Sequence, residues 1–260
     1  MYKILKYSFL DLIRSHWSTV YFLFYLVIGF LLLFINNDLS KAIITLLNII
    51  IVLTPLTGTL LGVMYYYHSR EFTELLLAQP LQRRTIFLGQ YLGLSISLTS
   101  SVCLGLGIPF LAYGLVYSSE IFNFLSLLVV GALLSFIFTA LALNIAIKND
   151  DRIKGFGFAI LVWLFLAVIY DGLFLVSLVS LADYPLEKLA LGATVFNPID
   201  LSRIYIVLKL DIAALLGYTG AVMNSFFGSF YGKFISFGLL LLWVVLPTLH
   251  LIRSARRKDF

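Results

Sequence analysis

"WSTVYFLFYLVIGFLLLFI", residues 17–35, is a run of nineteen residues with no charge. As a helix rising 1.5 Å per residue it reaches about 28 Å, close to the roughly 30 Å of a bilayer's hydrocarbon core. It is too long for the apolar region of a signal peptide and lacks a small-residue cleavage site. The run therefore reads as a retained first membrane span.

The rest of the 260 residues agrees: 61% are hydrophobic and 12% charged. A soluble domain sits nearer half apolar and a quarter charged. Five more long apolar runs follow, giving spans at about 17–35, 42–67, 86–116, 122–147, 156–182 and 234–252. A membrane β-barrel would show short alternating segments instead. The expected class is an all-α polytopic membrane protein, in one domain over residues 1–260. The net charge of +5 is not a nucleic-acid footprint, because the basic residues sit in short loops beside spans. Of the 18 Lys and Arg, thirteen fall on one side of the predicted topology; Lys41, Lys188, Arg203, Lys209 and Lys233 fall on the other. By the positive-inside rule both termini are expected in the cytoplasm. The single Cys103 leaves no internal disulfide framework.

Outward from the first span, residues 1–15 form an amphipathic pattern. Ile4, Leu5, Ser8, Phe9, Leu12 and Ile13 share one face; Lys3, Tyr7, Asp11 and Arg14 share the other. Such a helix is expected to lie in the membrane interface.

Residues 68–85 break the apolar character between spans two and three. "REFTELLLAQPLQRRTIFLGQY", residues 70–91, opens with a short helix that Ser69 can cap and Pro80 stops. Phe72, Leu75, Leu76 and Gln79 fall on one stripe, and Arg70 and Glu74 are spaced for an ion pair. Arg83 and Arg84 mark the return to the bilayer, with Thr85 as a candidate N-cap. A solvated loop would need no apolar stripe. The stripe suggests docking into a partner groove.

Residues 183–233 are long and still apolar. In "FNPIDLSRIYIVLKLDIAALLG", Asn197 is a candidate N-cap, Pro198 fits the first helical position and Asp200 the third. Leu201, Ile204, Tyr205, Leu208 and Ile212 form an apolar face, and Gly217 is a natural stop. The aromatic, Gly-rich "YTGAVMNSFFGSFYGK" follows. These segments read as extracytoplasmic interfacial or re-entrant helices; two further spans are the alternative.

Chemistry-bearing constellations are scarce. "GSFYGKF", residues 228–234, has one residue too few for a phosphate-binding loop, and Phe234 stands where the hydroxyl belongs. No catalytic role, cofactor or metal site is expected in this chain. His16, His68 and His250 all fall near one face, where solvated histidines are the ordinary reading. Asp171, in "LAVIYDGLFLV", is the one acidic residue inside an apolar run. It either faces the bundle interior or lies near the outer interface, and Arg203 is a candidate partner.

With these features in view, the chain resembles the membrane subunit of ABC-2-type transporters. The likeness covers the interfacial helix, the six spans, the coupling helix and the outer helices before the last span. "REFTELLLAQPLQRRTIFLGQY" is similar to that family's first cytoplasmic loop, with Gln90 where Lys is more usual. "FNPIDLSRI" resembles the N-P-x-D-x-x-R-[IL] element of nitrous-oxide-reductase maturation permeases, NosY-type. The resemblance implies a homodimer with two copies of a cytoplasmic ABC ATPase, which binds the ATP and Mg. It implies partners outside: a periplasmic β-helical copper-handling protein, NosD-type, and a copper chaperone lipoprotein. The implied setting is a bacterial inner membrane, and the implied outcome is maturation of the enzyme's copper–sulfur centre. On this reading Arg70, Glu71, Phe72, Glu74, Leu75, Leu76, Gln79, Pro80, Arg83 and Arg84 couple to the ATPase. Asn197, Pro198, Asp200 and Arg203 meet the outer partner. The alternatives are an ABC-2 exporter of a lipid, glycan, peptide or gliding-machinery component, and a scaffold that transports nothing.

Overall fold

A computed structural model of the chain describes residues 2–36, 38–180, 187–210 and 230–257. All regular structure among them is helical. The helices are α1 (Tyr2–Arg14), α2 (His16–Asn36), α3 (Leu39–His68), α4 (Arg70–Leu77), α5 (Arg83–Ala112), α6 (Ile121–Lys148), α7 (Arg152–Leu164), α8 (Tyr170–Ser180), α9 (Glu187–Phe196), α10 (Pro198–Lys209) and α11 (Phe230–Arg257). A π-helical turn, Phe165–Ile169, joins α7 to α8. Six stretches are long and apolar enough to cross a membrane: His16–Asn36, Leu39–His68, Arg83–Ala112, Ile121–Lys148, Arg152–Phe174 and Gly232–Arg256. The protein is an all-α, multi-pass membrane protein.

Most span boundaries move only a few residues from the sequence expectation. The third span starts at Arg83, with Gln82 rather than Thr85 at its cap position. Pro109 stays inside that helix, and the chain leaves it through Gly114 at φ 91°, a left-handed conformation that suits glycine.

The chain divides into two compact units, Met1–Ile160 with Val244–Phe260, and Leu161–Trp243. In the first, α3 packs along α6 and α2 along α5. Leu46, Ile50, Leu94, Leu98, Leu134 and Ile137 are fully buried. Small residues allow this close approach: a Cβ on Gly62 would sit 2.5 Å from that of Ala142. The amphipathic helix α1 is packed on protein as well as facing outward. Ile4, Ser8 and Leu12 are buried, and a side chain on Gly93 would strike Ser8 and the Leu5 carbonyl. Only that inner line of the expected six-residue face is fully covered; Ile13 is exposed.

In the second unit, α10 buries more than its expected stripe. Leu201, Ile204 and Leu208 are covered, but so are Ile206 and Val207, and Tyr205 is half-buried. Ile212, Gly217 and residues 218–229 lie outside the described residues.

Candidate functional site

The connector helix α4 has two different faces. Thr73 is 1% exposed. Its hydroxyl donates to the Ser69 carbonyl at 2.8 Å and accepts from the Gln90 amide at 2.7 Å. Gln90 is 2% exposed. This pairing accounts for an amide there, since a Lys ammonium in the same buried place would be a charge facing a hydroxyl. Phe72 stacks on Tyr7 of α1, ring centroids 4.5 Å apart. Ser69 stands at the cap position, but its side chain makes no capping bond.

The sequence stripe is therefore split. Phe72 and Leu76 are half-buried, while Leu75 is 67% exposed. Glu71, Glu74, Gln79, Pro80 and Arg84 are also exposed, and Arg83 is half-buried. Arg70 and Glu74 form the expected ion pair at 3.1 Å. Its hydrogen bond to Glu74 raises the Arg70 pKa further. An exposed pair of this kind contributes only about 0.5 kcal/mol.

The adjoining turn is pinned by Tyr67, whose hydroxyl donates to the carbonyls of Asn149 (2.7 Å) and Asp151 (3.1 Å). Gly155 lies against that ring and leaves no room for a side chain. Nearby, the Asn144 amide donates to the carbonyls of Ala140 and Pro247, both at 2.8 Å. Its oxygen meets Nδ1 of His250 at 2.7 Å. An amide oxygen only accepts, so Nδ1 carries the proton. His250 is thus a structural partner of a spanning helix rather than a solvated residue. His16 and His68 line one cleft without it, and the described residues contain no group of metal ligands. Asn144 and Tyr67 escaped the sequence reading. A lone amide in "LALNIAIK" was the one available signal, because a polar group in an apolar span must find a partner.

The second unit holds a polar cluster built from the "FNPIDLSR" element and Asp171. The Asn197 oxygen caps α10 by accepting from the Ile199 N–H at 3.0 Å. Its amide donates to the Leu166 carbonyl at 2.8 Å and to Asp200 Oδ2 at 2.7 Å. Leu166 lies in the π turn, where the altered ladder leaves a carbonyl for an outside donor. Arg203 pairs with Asp171 at 2.8 Å and with Asp200 at 3.4 Å. Of the two readings of Asp171, the structure supports a half-exposed, ion-paired carboxylate rather than one held by solvent alone. The Tyr170 hydroxyl donates to the Ala193 carbonyl at 2.6 Å and ties α8 to α9. A cavity of about 60 Å³ remains among Asp171, Asp200, Arg203 and Thr194.

Asn197 and Asp200 are 0% and 8% exposed. Their side chains are used inside the chain, and Pro198 is buried with them; Arg203, its side chain 26% exposed, is the most open of the four expected outer contacts. Burial, and then the negative charge of Asp171, push the Asp200 carboxyl up to about 7, against the pull of Arg203 and Asn197. Two carboxylates around one guanidinium thus favour holding a proton near neutrality.

Compared with known proteins, the chain matches no family model and none of the curated proteins.

Proposed function

We propose that this chain is the membrane subunit of an ABC-2-type transporter, moved by a cytoplasmic ATPase that it does not itself contain. The supporting observation is α4: a charged helix between spans two and three, gripped on one face and open on the other. Thr73–Gln90 and Phe72–Tyr7 fix its inner face to α5 and α1. Glu71, Glu74 and Leu75 remain exposed for a partner. A lever needs this combination, because a push on the open face passes to the spans only if the inner face cannot slip. The proposed assembly is a pair of these chains with two ATPase subunits, both termini lying in the cytoplasm of a bacterial inner membrane.

Replacing Glu74 with Lys reverses one charge on the open face and leaves the inner grip intact. In a reconstituted complex with its ATPase, the Glu74→Lys variant is expected to keep hydrolysis and lose most of the coupled activity. Normal coupling at normal complex levels overturns the role of α4.

The narrower proposal is maturation of the copper–sulfur centre of nitrous oxide reductase, by exporting a sulfur species or acting mechanically on a periplasmic β-helical partner. It rests on the likeness of "FNPIDLSRI". Deleting the gene is expected to leave a reductase without its copper–sulfur centre, restored by complementation. A fully assembled reductase rejects this proposal and leaves the broader one standing. One observation favours keeping an exporter of another substrate as the second reading. Asn197, Asp200 and Arg203 are engaged in internal bonds, so the element would serve any permease that needs this cluster.

A further inference from the structure

Two clefts in the first unit meet at shared residues. One is apolar, of about 450 Å³, lined by residues such as Phe24, Leu53, Leu60 and Phe156. The other is polar, of about 410 Å³, and carries Asp11, Arg14, His16 and His68. Trp17 and Met64 line both. Trp17 is 57% exposed at the start of the first span, the depth at which indole rings mark the membrane interface. The polar cleft thus borders the apolar one at Trp17 and Met64, its polar side toward the headgroups and the apolar side toward the acyl chains.

Among the described residues, Arg14, Asp11, His16 and His68 form no ion pair and no side-chain hydrogen bond. Arg14 supplies a permanent cation, and imidazole supplies an N–H donor in either protonation state. These suit a phosphodiester. Asp11 supplies an opposite charge that would repel a purely anionic headgroup and attract an ammonium. A second copy's apolar helix would fill only the apolar cleft and leave these four groups unanswered.

We infer that the α1–α2–α3 cleft is a binding site for an aminophospholipid of the phosphatidylethanolamine class. Its phosphate meets Arg14 and the two histidines, its ammonium meets Asp11, and one acyl chain lies between α2 and α3 below Trp17. The apolar volume falls within the few hundred Å³ typical of ligand pockets, and each buried methylene adds to the binding. Basic pockets between spans at the membrane surface are a recurrent headgroup site. A lipid here would join α1 to the end of α3, next to α4. The site does not depend on the transporter reading.

The test is lipid retention by the full-length chain, purified from bilayers containing equal phosphatidylethanolamine and phosphatidylglycerol and weighed with bound lipid by native mass spectrometry. The wild type is expected to retain phosphatidylethanolamine preferentially. Arg14→Gln should lower its retention about tenfold, the effect of losing one charge-assisted bond. Asp11→Asn should reverse the preference toward phosphatidylglycerol. Leu60→Trp should fill the apolar cleft and reduce retention of both. The first two side chains are exposed, so their variants should fold, with elution profile and helicity as checks. Equal retention by wild type and Arg14→Gln overturns the inference. So does a Leu60→Trp variant that changes oligomeric state and leaves retention unaltered, because the cleft is then a contact between copies.

Discussion

Two short charged segments of this chain look alike in sequence and are used in opposite ways. "REFTELLL" and "NPIDLSR" each place acidic and basic residues three or four apart on a helix. In α4 the charges face outward, and Arg70 pairs with Glu74 on the exposed surface. In the α10 cluster Asp200 is turned inward, and Asn197, Asp200, Arg203 and Asp171 are bonded to one another. Exposed charges cost little to keep and little to lose, so they are free to serve a partner. Buried ones must be answered within the fold, and removing one leaves the others stranded.

The largest expected effect separates the two directly. Asn197→Ala removes the cap of α10 and leaves the Leu166 carbonyl and Asp200 without their amide. Its stability loss should be about 2–4 kcal/mol, read by denaturation in detergent. A loss below about 1 kcal/mol would mean the cluster is ornamental. Arg70→Ala, the matching change in α4, should cost about 0.5 kcal/mol or less.

A pH series sharpens the same contrast. The Asp200 carboxyl titrates near 7 in the folded chain and near 3.9 when unfolded. Between those values the folded state holds a proton that the unfolded state has released. The contribution of this group is therefore full at low pH and is lost as pH rises through about 7. Asp200→Asn should flatten that part of the stability profile. Thermal midpoints from pH 5 to 8 would decide it.

Between these extremes lies the inner face of α4. Gln90→Leu leaves the buried Thr73 hydroxyl without its donor, and the expected cost is about 1 kcal/mol. Its sharper signature is local: hydrogen exchange should quicken across residues 70–77 and not in α6. Uniform quickening would mean that the bond supports the whole unit rather than the grip on α4.

The sequence alone determined the six spans, their approximate limits, the amphipathic first helix and the cap of α10. These depend on local quantities: the length of an apolar run against the bilayer, helical periodicity, and the N-cap chemistry of Asn followed by Pro. It also proposed Arg203 as the partner of Asp171, because a charge in an apolar run needs an answer. Only the tertiary structure decided which face of α4 is gripped. Phe72, Leu75 and Leu76 are equally apolar, and a hydroxyl at Thr73 opposite an amide seventeen residues later breaks the tie. Likewise, only packing turned Asn197 and Asp200 inward, paired His250 with Asn144, and brought Arg14, His16 and His68 to one cleft. Each of those outcomes depends on which group lies across the gap between helices, and the pattern along one helix does not contain that information.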